Sequence, residues 1–426
     1  MIRAILIVLA MLIFIFLMMK KILPTIVALP LLAVTIGLLA GIPWSGEEGI
    51  LTTIIENGFV RMQGSVMVVI IGGWMGEVFS QSGAAKKLIK SAAELGGNNP
   101  LLITLLLAAA SALVFTSFGG LNGAIVVGTI SLPIMMSLGY SAVSAGSIML
   151  LSIAIGIAIN VGNWQFYADS TGVSTNIVQT YAFICSAVTA VAAIALIVLE
   201  TRKLKGVDVK QWAAEKREED GSDISWLACL TPLIPLLLVV VFKLPIRFAM
   251  TIAAIYNLLF CFKGRSFSEV VNFCSKTMMD GAVAGGKMAF LLGGIGMIIT
   301  AAMNGTTAAA MKPLLEVIIP SNKIGYIIFF ILLAPLALYR GPFNLYGLGS
   351  GILAMIVGAG LLSPNLAMSG LLALERVQAI SDPTNSFTVW IANFVGVSVN
   401  DLMKKTLPFS WGVAAVLIIV SSILYS

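Results

Sequence analysis

Apolar runs long enough to cross a bilayer recur from one end of this chain to the other, at 4–19, 22–39, 181–199, 226–242 and 407–424 among others. A run of roughly 17–25 apolar residues matches the thickness of the hydrocarbon layer as a helix. Of 426 residues, 59% are hydrophobic and 10% charged, against about 25% charged in a soluble domain. The pattern therefore predicts an all-α polytopic membrane protein. A transmembrane barrel would show short alternating segments instead. The first run has one positive charge before it and no small-residue cleavage signal behind it, so it is expected to be a retained helix. Cys185, Cys229, Cys261 and Cys274 stand without CxxC spacing and suggest neither a disulfide frame nor a metal site.

The string GVSTN begins at Gly172 and GVSVN begins at Gly396, 224 residues later. The same shift places Leu121 on Leu345, Gly123 on Gly347, Gly146 on Gly370, Leu150 on Leu374 and Ser186 on Ser410. Apolar runs align as well, those near 4, 22 and 181 with those near 227, 246 and 407. A duplicated architecture is expected: a first repeat over 1–200, a linker over 201–225 and a second repeat over 226–426.

Charge orients the two. With five crossings per repeat, Lys20, Lys21, Lys86, Lys87, Lys90, the basic stretch 202–217, Lys263, Arg265, Lys276, Lys404 and Lys405 share one side. Basic loops face the cytoplasm, so both termini are expected outside. An odd number of crossings inverts one repeat relative to the other, a feature of secondary transporters. Topology accounts for the net charge of +6, and no nucleic-acid partner is needed.

Inverted-repeat carriers bind their cargo near the midplane, on interrupted helices. Each half offers two interruptions. The first has FTSFGGLNG at 115–123, inside an expected re-entrant hairpin over 101–138, and NVGNWQFYADSTGVSTN at 160–176, inside a broken helix over 142–177. The second has YRGPFNLYGLGSG at 339–351, in a hairpin over 324–361, and a polar stretch at 375–400 containing SDPTNS, in a broken helix over 366–400. Unwound backbone survives in a membrane only where protein buries it or it lines a polar cavity. Thr116, Ser117, Asn122, Ser381, Thr384, Asn385 and Ser386 offer oxygens to a cation or hydrogen bonds to a ligand, and exposed helix N-termini favour an anion.

Ionisable groups inside membrane segments are usually functional. Asp382 is a candidate for binding Na⁺ or carrying a proton, and equally for capping a helix that starts at Pro383. Arg340, at a hairpin tip, suits a carboxylate; its alternative is pairing with a neighbouring acid or a lipid headgroup. Asp169 is either an ion site or a cap, with Asn160 beside it as a further coupling-ion candidate. Arg376 and Glu375 suggest a charged pair. Lys287 is either a buried cation or a helix-end residue. Trp164 and Trp390 serve as pocket walls or as packing. With no histidine in the chain, a proton relay must use carboxylates or lysine.

The two inverted halves, the polar hairpin tips and SDPTNS together resemble the ion transporter superfamily. Its secondary carriers include citrate symporters, gluconate permeases, C4-dicarboxylate carriers and some Na⁺/H⁺ antiporters. The resemblance spans essentially the whole chain. It implies a site for Na⁺ and a carboxylate at Ser117, Asn122 and Asn163 in the first half, and at Asn344, Asp382, Thr384 and Asn385 in the second, with Na⁺ at the last three. It also implies an elevator-like movement of a transport domain against a scaffold domain, and a homodimer. The expectation is a secondary active transporter, in the plasma (inner) membrane and surrounded by lipid, that couples a small organic anion to H⁺ or Na⁺ and carries no resident cofactor. Arg340 would hold the anion, with Asp382, Asp169, Ser381 and Asn160 serving the coupling ion. A Na⁺/H⁺ antiporter and an amino-acid carrier of the same fold are the alternatives. An intramembrane enzyme lacks an evident nucleophile–base pair, and a passive channel does not need two matched pairs of broken helices.

Overall fold

The computed structural model describes residues 1–204, 224–262, 265–320 and 322–425; most of the expected linker, and Lys263, fall outside the described residues. Every regular element among them is helical. Seven helices are long and apolar enough to cross a membrane, or eight if one bent pair is taken as a span. The chain is an all-α, multi-pass membrane protein.

Ten crossings were expected, and the difference lies in short elements. The first half runs α1 (Ile2–Met19), α2 (Thr25–Ala40), a π turn (Leu51–Glu56) and short helix (Asn57–Arg61) leading into α3 (Gln63–Gln81), then α4 (Ala84–Leu95). The first hairpin follows as α5 (Pro100–Phe115) and α6 (Gly120–Ser137), then α7 (Ala142–Ala158), α8 (Val161–Thr171) and α9 (Thr175–Thr201). The second half runs α10 (Leu233–Val240), α11 (Ile246–Phe260), α12 (Phe267–Met303) and α13 (Gly305–Ile318). After it come α14 (Lys323–Leu333), α15 (Ser350–Gly358), α16 (Pro364–Ser381), α17 (Ser386–Val395) and α18 (Val399–Leu424). The helices α2, α5 and α11 have 15 or 16 residues, about 22–24 Å at 1.5 Å per residue, short of a 30 Å hydrocarbon layer.

Helix starts and stops follow local chemistry. Asn99 accepts from the N–H groups of Leu101 and Leu102 ahead of Pro100 at the first turn of α5, and Ser363 does the same for Leu366 ahead of Pro364 in α16. The repeated pentapeptide is one such signal. Gly172 (φ +75°) ends α8 and Gly396 (φ +72°) ends α17, each in the left-handed region that glycine enters without a Cβ penalty. The serine two residues on, Ser174 or Ser398, is then the N-cap of the long helix that follows.

Two helices that correspond under the 224-residue shift pack against each other, and they run antiparallel. In α3 and α12, Gly73 meets Gly281, whereas the segment at Gly58 meets Met297 and Gly296. A Cβ on Gly73 would stand 2.4 Å from the Gly281 carbonyl oxygen, so these backbones touch with no side chain between them, the small-residue packing that membrane helices use. Likewise Tyr181 near the start of α9 donates to the Leu417 carbonyl late in α18, and Glu200 at the end of α9 pairs with Lys405 early in α18 at 2.8 Å.

Candidate functional site

Each helix break holds the tip of its own half's hairpin. The helices α7 and α8 bend by 62° at the first break. There Asn160 caps α8 by accepting from the Gly162 N–H at 2.9 Å, while its Nδ2 donates to the Phe115 carbonyl at the hairpin tip, also 2.9 Å. One amide thus satisfies the first turn of a helix and the last carbonyl of another, groups without intrahelical partners. Asn163 turns back to the Ile157 carbonyl, and Trp164 Nε1 donates to the Ala158 carbonyl. The remainder of the tip is tied sideways: the hydroxyls of Thr116 and Ser117 both donate to the Pro232 carbonyl, at 3.0 and 2.7 Å.

The second break uses charge where the first uses an amide. Asp382 is buried and ends α16. Its Oδ1 accepts from the Tyr339 N–H (3.0 Å), the Thr384 N–H (2.9 Å) and the Thr384 hydroxyl (2.8 Å), and its Oδ2 accepts from Asn344 Nδ2 (3.1 Å). Asn344 also donates to the Ala337 carbonyl, and Gln378 accepts from the Leu345 N–H at 2.7 Å. The second hairpin tip, 339–345, is therefore fastened to α16 by one carboxylate and two amides. The tip is irregular: Tyr339 and Arg340 both take positive φ, +54° and +58°, a strained state for residues with side chains. The carboxylate's bond to the Tyr339 N–H holds one of these strained peptides in place.

Asp382 does not cap a helix beginning at Pro383, because α17 starts at Ser386 with Asn385 as its N-cap residue. Instead Asp382 closes a local turn onto Thr384. Ser381 faces away from the tip, sharing hydroxyl contacts with Thr406 (2.9 Å) and Ser410 (2.8 Å) on α18. Asp169 is neither a helix cap for its own segment nor a neighbour of Asp382. It lies within α8 and accepts from the Ser65 N–H and hydroxyl at 2.9 and 2.6 Å and from Gln165, an anion at the first turn of α3. Arg340 donates to Thr25 Oγ1 at 3.0 Å, which carries the tip's charge to the start of α2. Trp164 is packed against Phe183, and Trp390 stacks on Phe394.

The two breaks meet through the second tip. The Tyr346 ring lies 5.4 Å from Phe166 on α8, and its hydroxyl reaches Asn163 Oδ1 at 3.5 Å. Close by, Arg376 of α16 is fully buried, ion-paired with Glu375 and donating to the Ala154 carbonyl of α7 at 2.7 Å. The expected Arg376–Glu375 pair thus sits between the two broken helices. Taken together, Asn160, Asn163, Asn344, Asp382 and Thr384 cluster at the breaks, while Ser117, Asn122, Asp169, Ser381 and Arg340 point to other partners.

One group escaped sequence reasoning. Asn122 donates to Glu77 Oε1 at 3.0 Å, and Gln81 bridges Glu77 and Asp280, 2.9 Å from each. Two carboxylates, one on α3 and one on α12, therefore stand beside the first hairpin. A carboxylate inside the apolar stretch around GGWMGEVFS was the available signal. Among the described residues no group of three or more His, Cys, Asp or Glu is placed to hold a metal ion.

No protein-family model matches this chain, and no curated protein matches it. Among solved structures it is similar to the YdaH transporter of Alcanivorax borkumensis, whose crystal structure is reported to reveal an unusual topology. The likeness covers 99% of this chain and 97% of that one, with a TM-score of 0.57 and 13% sequence identity. At that identity the two share a fold.

Proposed function

We propose that this protein is a secondary active transporter of a small organic anion, such as citrate, gluconate or a C4-dicarboxylate, coupled to H⁺ or Na⁺. One observation carries the reading: the buried Asp382 carboxylate holds a strained hairpin tip through two donors, the Tyr339 N–H and Asn344 Nδ2, while Thr384 supplies two more from the local turn. In that arrangement the tip's N–H groups balance the negative charge. A proton on the carboxylate, or Na⁺ entering between Asp382, the Thr384 hydroxyl and the Asn385 amide, takes over that balance and frees the donors. The released Tyr339 and Asn344 N–H groups then face a carboxylate substrate, with Arg340 freed from Thr25 to grip it. Ion binding and substrate binding become one event, which is the requirement for symport.

The antiparallel packing of corresponding helices supports an inverted repeat, with the hairpins and broken helices moving against α1–α3 and α10–α12 as an elevator. The working unit on this reading is a homodimer in the plasma membrane, both termini outside, with lipid covering its apolar flank. A Na⁺/H⁺ antiporter is the second reading, favoured by the additional Glu77–Gln81–Asp280 cluster. An amino-acid carrier remains an alternative cargo for the same site.

The test is flux in tight proteoliposomes containing a pH-sensitive dye, with an imposed Na⁺ gradient and a panel of citrate, gluconate, C4-dicarboxylates, lactate and amino acids. Ion movement that requires one organic anion is the expected result and names the substrate. Na⁺-driven alkalinisation with no organic solute present would establish the antiporter and remove the anion role from Arg340.

A further inference from the structure

Between the two broken helices lies a buried charge pair that the release of the second tip leaves unused. Glu375 and Arg376 are 3% and 1% exposed, and the ion pair runs from Arg376 Nη2 to Glu375 Oε2. Arg376 Nη1 donates to the Ala154 carbonyl of α7 at 2.7 Å, while its Nε has no partner. Adjacent residues on a helix point about 100° apart and do not face each other. The two side chains therefore curl together to meet. Arg376 is held by its own neighbour, and one edge of its guanidinium is only half used.

The surroundings of the pair hold no second charge. Tyr167 of α8, Cys185 of α9 and Tyr346 beside the second tip face Arg376, and these groups are ordinarily uncharged at neutral pH. Ser369 and Ser381 of α16 meet Ser421 and Ser410 of α18, and residues 410–421 between those contacts contain no ionisable side chain. Neither do α7 and α15. The other charges on neighbouring elements are engaged elsewhere: Asp169 with Ser65, Glu200 with Lys405, and Arg340 with Thr25. The seam is therefore neutral because Glu375 balances Arg376.

We infer that Arg376 binds a carboxylate of the transported anion and that Glu375, displaced from it, takes up one proton. This rests on the organic-anion reading above and adds a second anchor and a coupling proton to it. A substrate carboxylate can accept from Nε–H and Nη2–H together, the bidentate geometry that a guanidinium edge is built for, while Nη1 stays on the Ala154 carbonyl. If it arrived alone, two carboxylates would share one buried cation, and a net buried charge is strongly disfavoured. One proton from the water that admits the substrate, placed on the Glu375 carboxylate, restores neutrality. It leaves when the substrate departs and the pair re-forms. Tyr346, which faces Arg376, moves with the second tip, so freeing the tip from Asp382 uncovers the guanidinium.

The experiment is calorimetric titration of the full-length protein in detergent with citrate, succinate and gluconate, in buffers of different ionisation enthalpy, which counts protons taken up on binding. Glu375→Gln should still bind, with a count lower than wild type by about one proton whatever Asp382 contributes, and its Kd should lose about a tenfold dependence per pH unit. Arg376→Met combined with Glu375→Gln, a neutral pair, should fold and bind about 100-fold more weakly or not at all. Should Glu375→Gln alone fail to fold, the wild-type count and the neutral pair decide. Carboxylate binding to wild type without proton uptake, an equal count in wild type and Glu375→Gln, or wild-type affinity in the neutral pair would each overturn this inference and leave organic-anion transport standing. No binding of any of the three anions to wild type would overturn both.

Discussion

Replacing Asp382 by Asn removes one charge and little volume, so it tests the tip-release mechanism directly. Three of the four bonds fall on Oδ1, which stays an acceptor in Asn but becomes neutral. A hydrogen bond to a charged group contributes about 1.5–3 kcal/mol and a neutral one about 0.5–1.5 kcal/mol, so each of the three weakens by roughly 1 kcal/mol. The fourth, Asn344 Nδ2 to Oδ2, becomes donor against donor and leaves a buried amide unpaired, about 1–3 kcal/mol. Two of the three Oδ1 bonds come from Thr384 in the local turn, so the tip itself loses only its Tyr339 and Asn344 bonds, about 2–4 kcal/mol. The neutral side chain no longer carries the cost of burying a charge, which returns part of this. A net weakening of about 2–3 kcal/mol, some 30- to 150-fold in the attached-to-released equilibrium, is the expected outcome. The assay is labelling of a Tyr339→Cys variant by a membrane-impermeant maleimide, with flux measured in parallel. With Asp at 382, labelling should rise on adding the coupling ion. With Asn it should be high from the start and indifferent to the ion, and uptake should no longer follow the ion gradient. Ion-dependent labelling and wild-type coupled flux in the Asp382→Asn background would refute the mechanism.

Other perturbations separate attachment from packing. Asn160→Ala loses both the α8 cap and the bond to the Phe115 carbonyl, an expected loss of about 2–4 kcal/mol seen as a lower Tm. Asn160→Asp keeps the capping acceptor and should restore about 1 kcal/mol of stability without restoring flux. Gly73→Ala puts a Cβ 2.4 Å from the Gly281 carbonyl, so α3 and α12 must part and Tm should fall by several degrees. Gly286→Ala, with nothing within 4 Å, should leave Tm unchanged. Arg376→Met strands the buried Glu375 and should cost about 3–5 kcal/mol; adding Glu375→Gln should recover most of it, and a double-mutant cycle read by Tm measures the coupling. If the two substitutions are additive, the buried pair is not a unit.

Much of the architecture was legible because local chemistry announces helix ends. The repeated pentapeptide holds a left-handed glycine stop and a serine start, so it marked equivalent joints in both halves. Asn160 and Asp382 stood out because polar groups in apolar surroundings need partners, and both breaks indeed gather hairpin tips. What was illegible depends on how helices cross. Glu77 and Asp280 are 203 positions apart and meet only because Gly73 and Gly281 let α3 and α12 touch. The second tip, a 3₁₀ stretch over Ala334–Arg340 and a π turn over Leu345–Gly349, could not be read from the sequence, because its backbone depends on the Asp382 and Gln378 acceptors rather than on its own propensities.

The two breaks are equivalent in position and unequal in chemistry, and the inequality assigns their work. Asn160 joins helix to tip through a neutral amide whose two bonds no proton or cation titrates. Such a joint stays closed whatever the ion concentration. Asp382 makes the corresponding joint with a carboxylate whose two bonds to the tip, from Tyr339 and Asn344, weaken when a proton or cation arrives. A neutral joint at both breaks would give a structure with no response to ions, and a charged joint at both would release both tips together. On the proposed mechanism, one of each would let the first half stay rigid while the second answers the ion. Tyr346, reaching from the released tip to Asn163 and Phe166 of the rigid half, is then where that answer is passed across. Tyr346→Phe, which keeps the ring contact and drops the hydroxyl, should leave ion-dependent labelling at position 339 intact while slowing coupled flux.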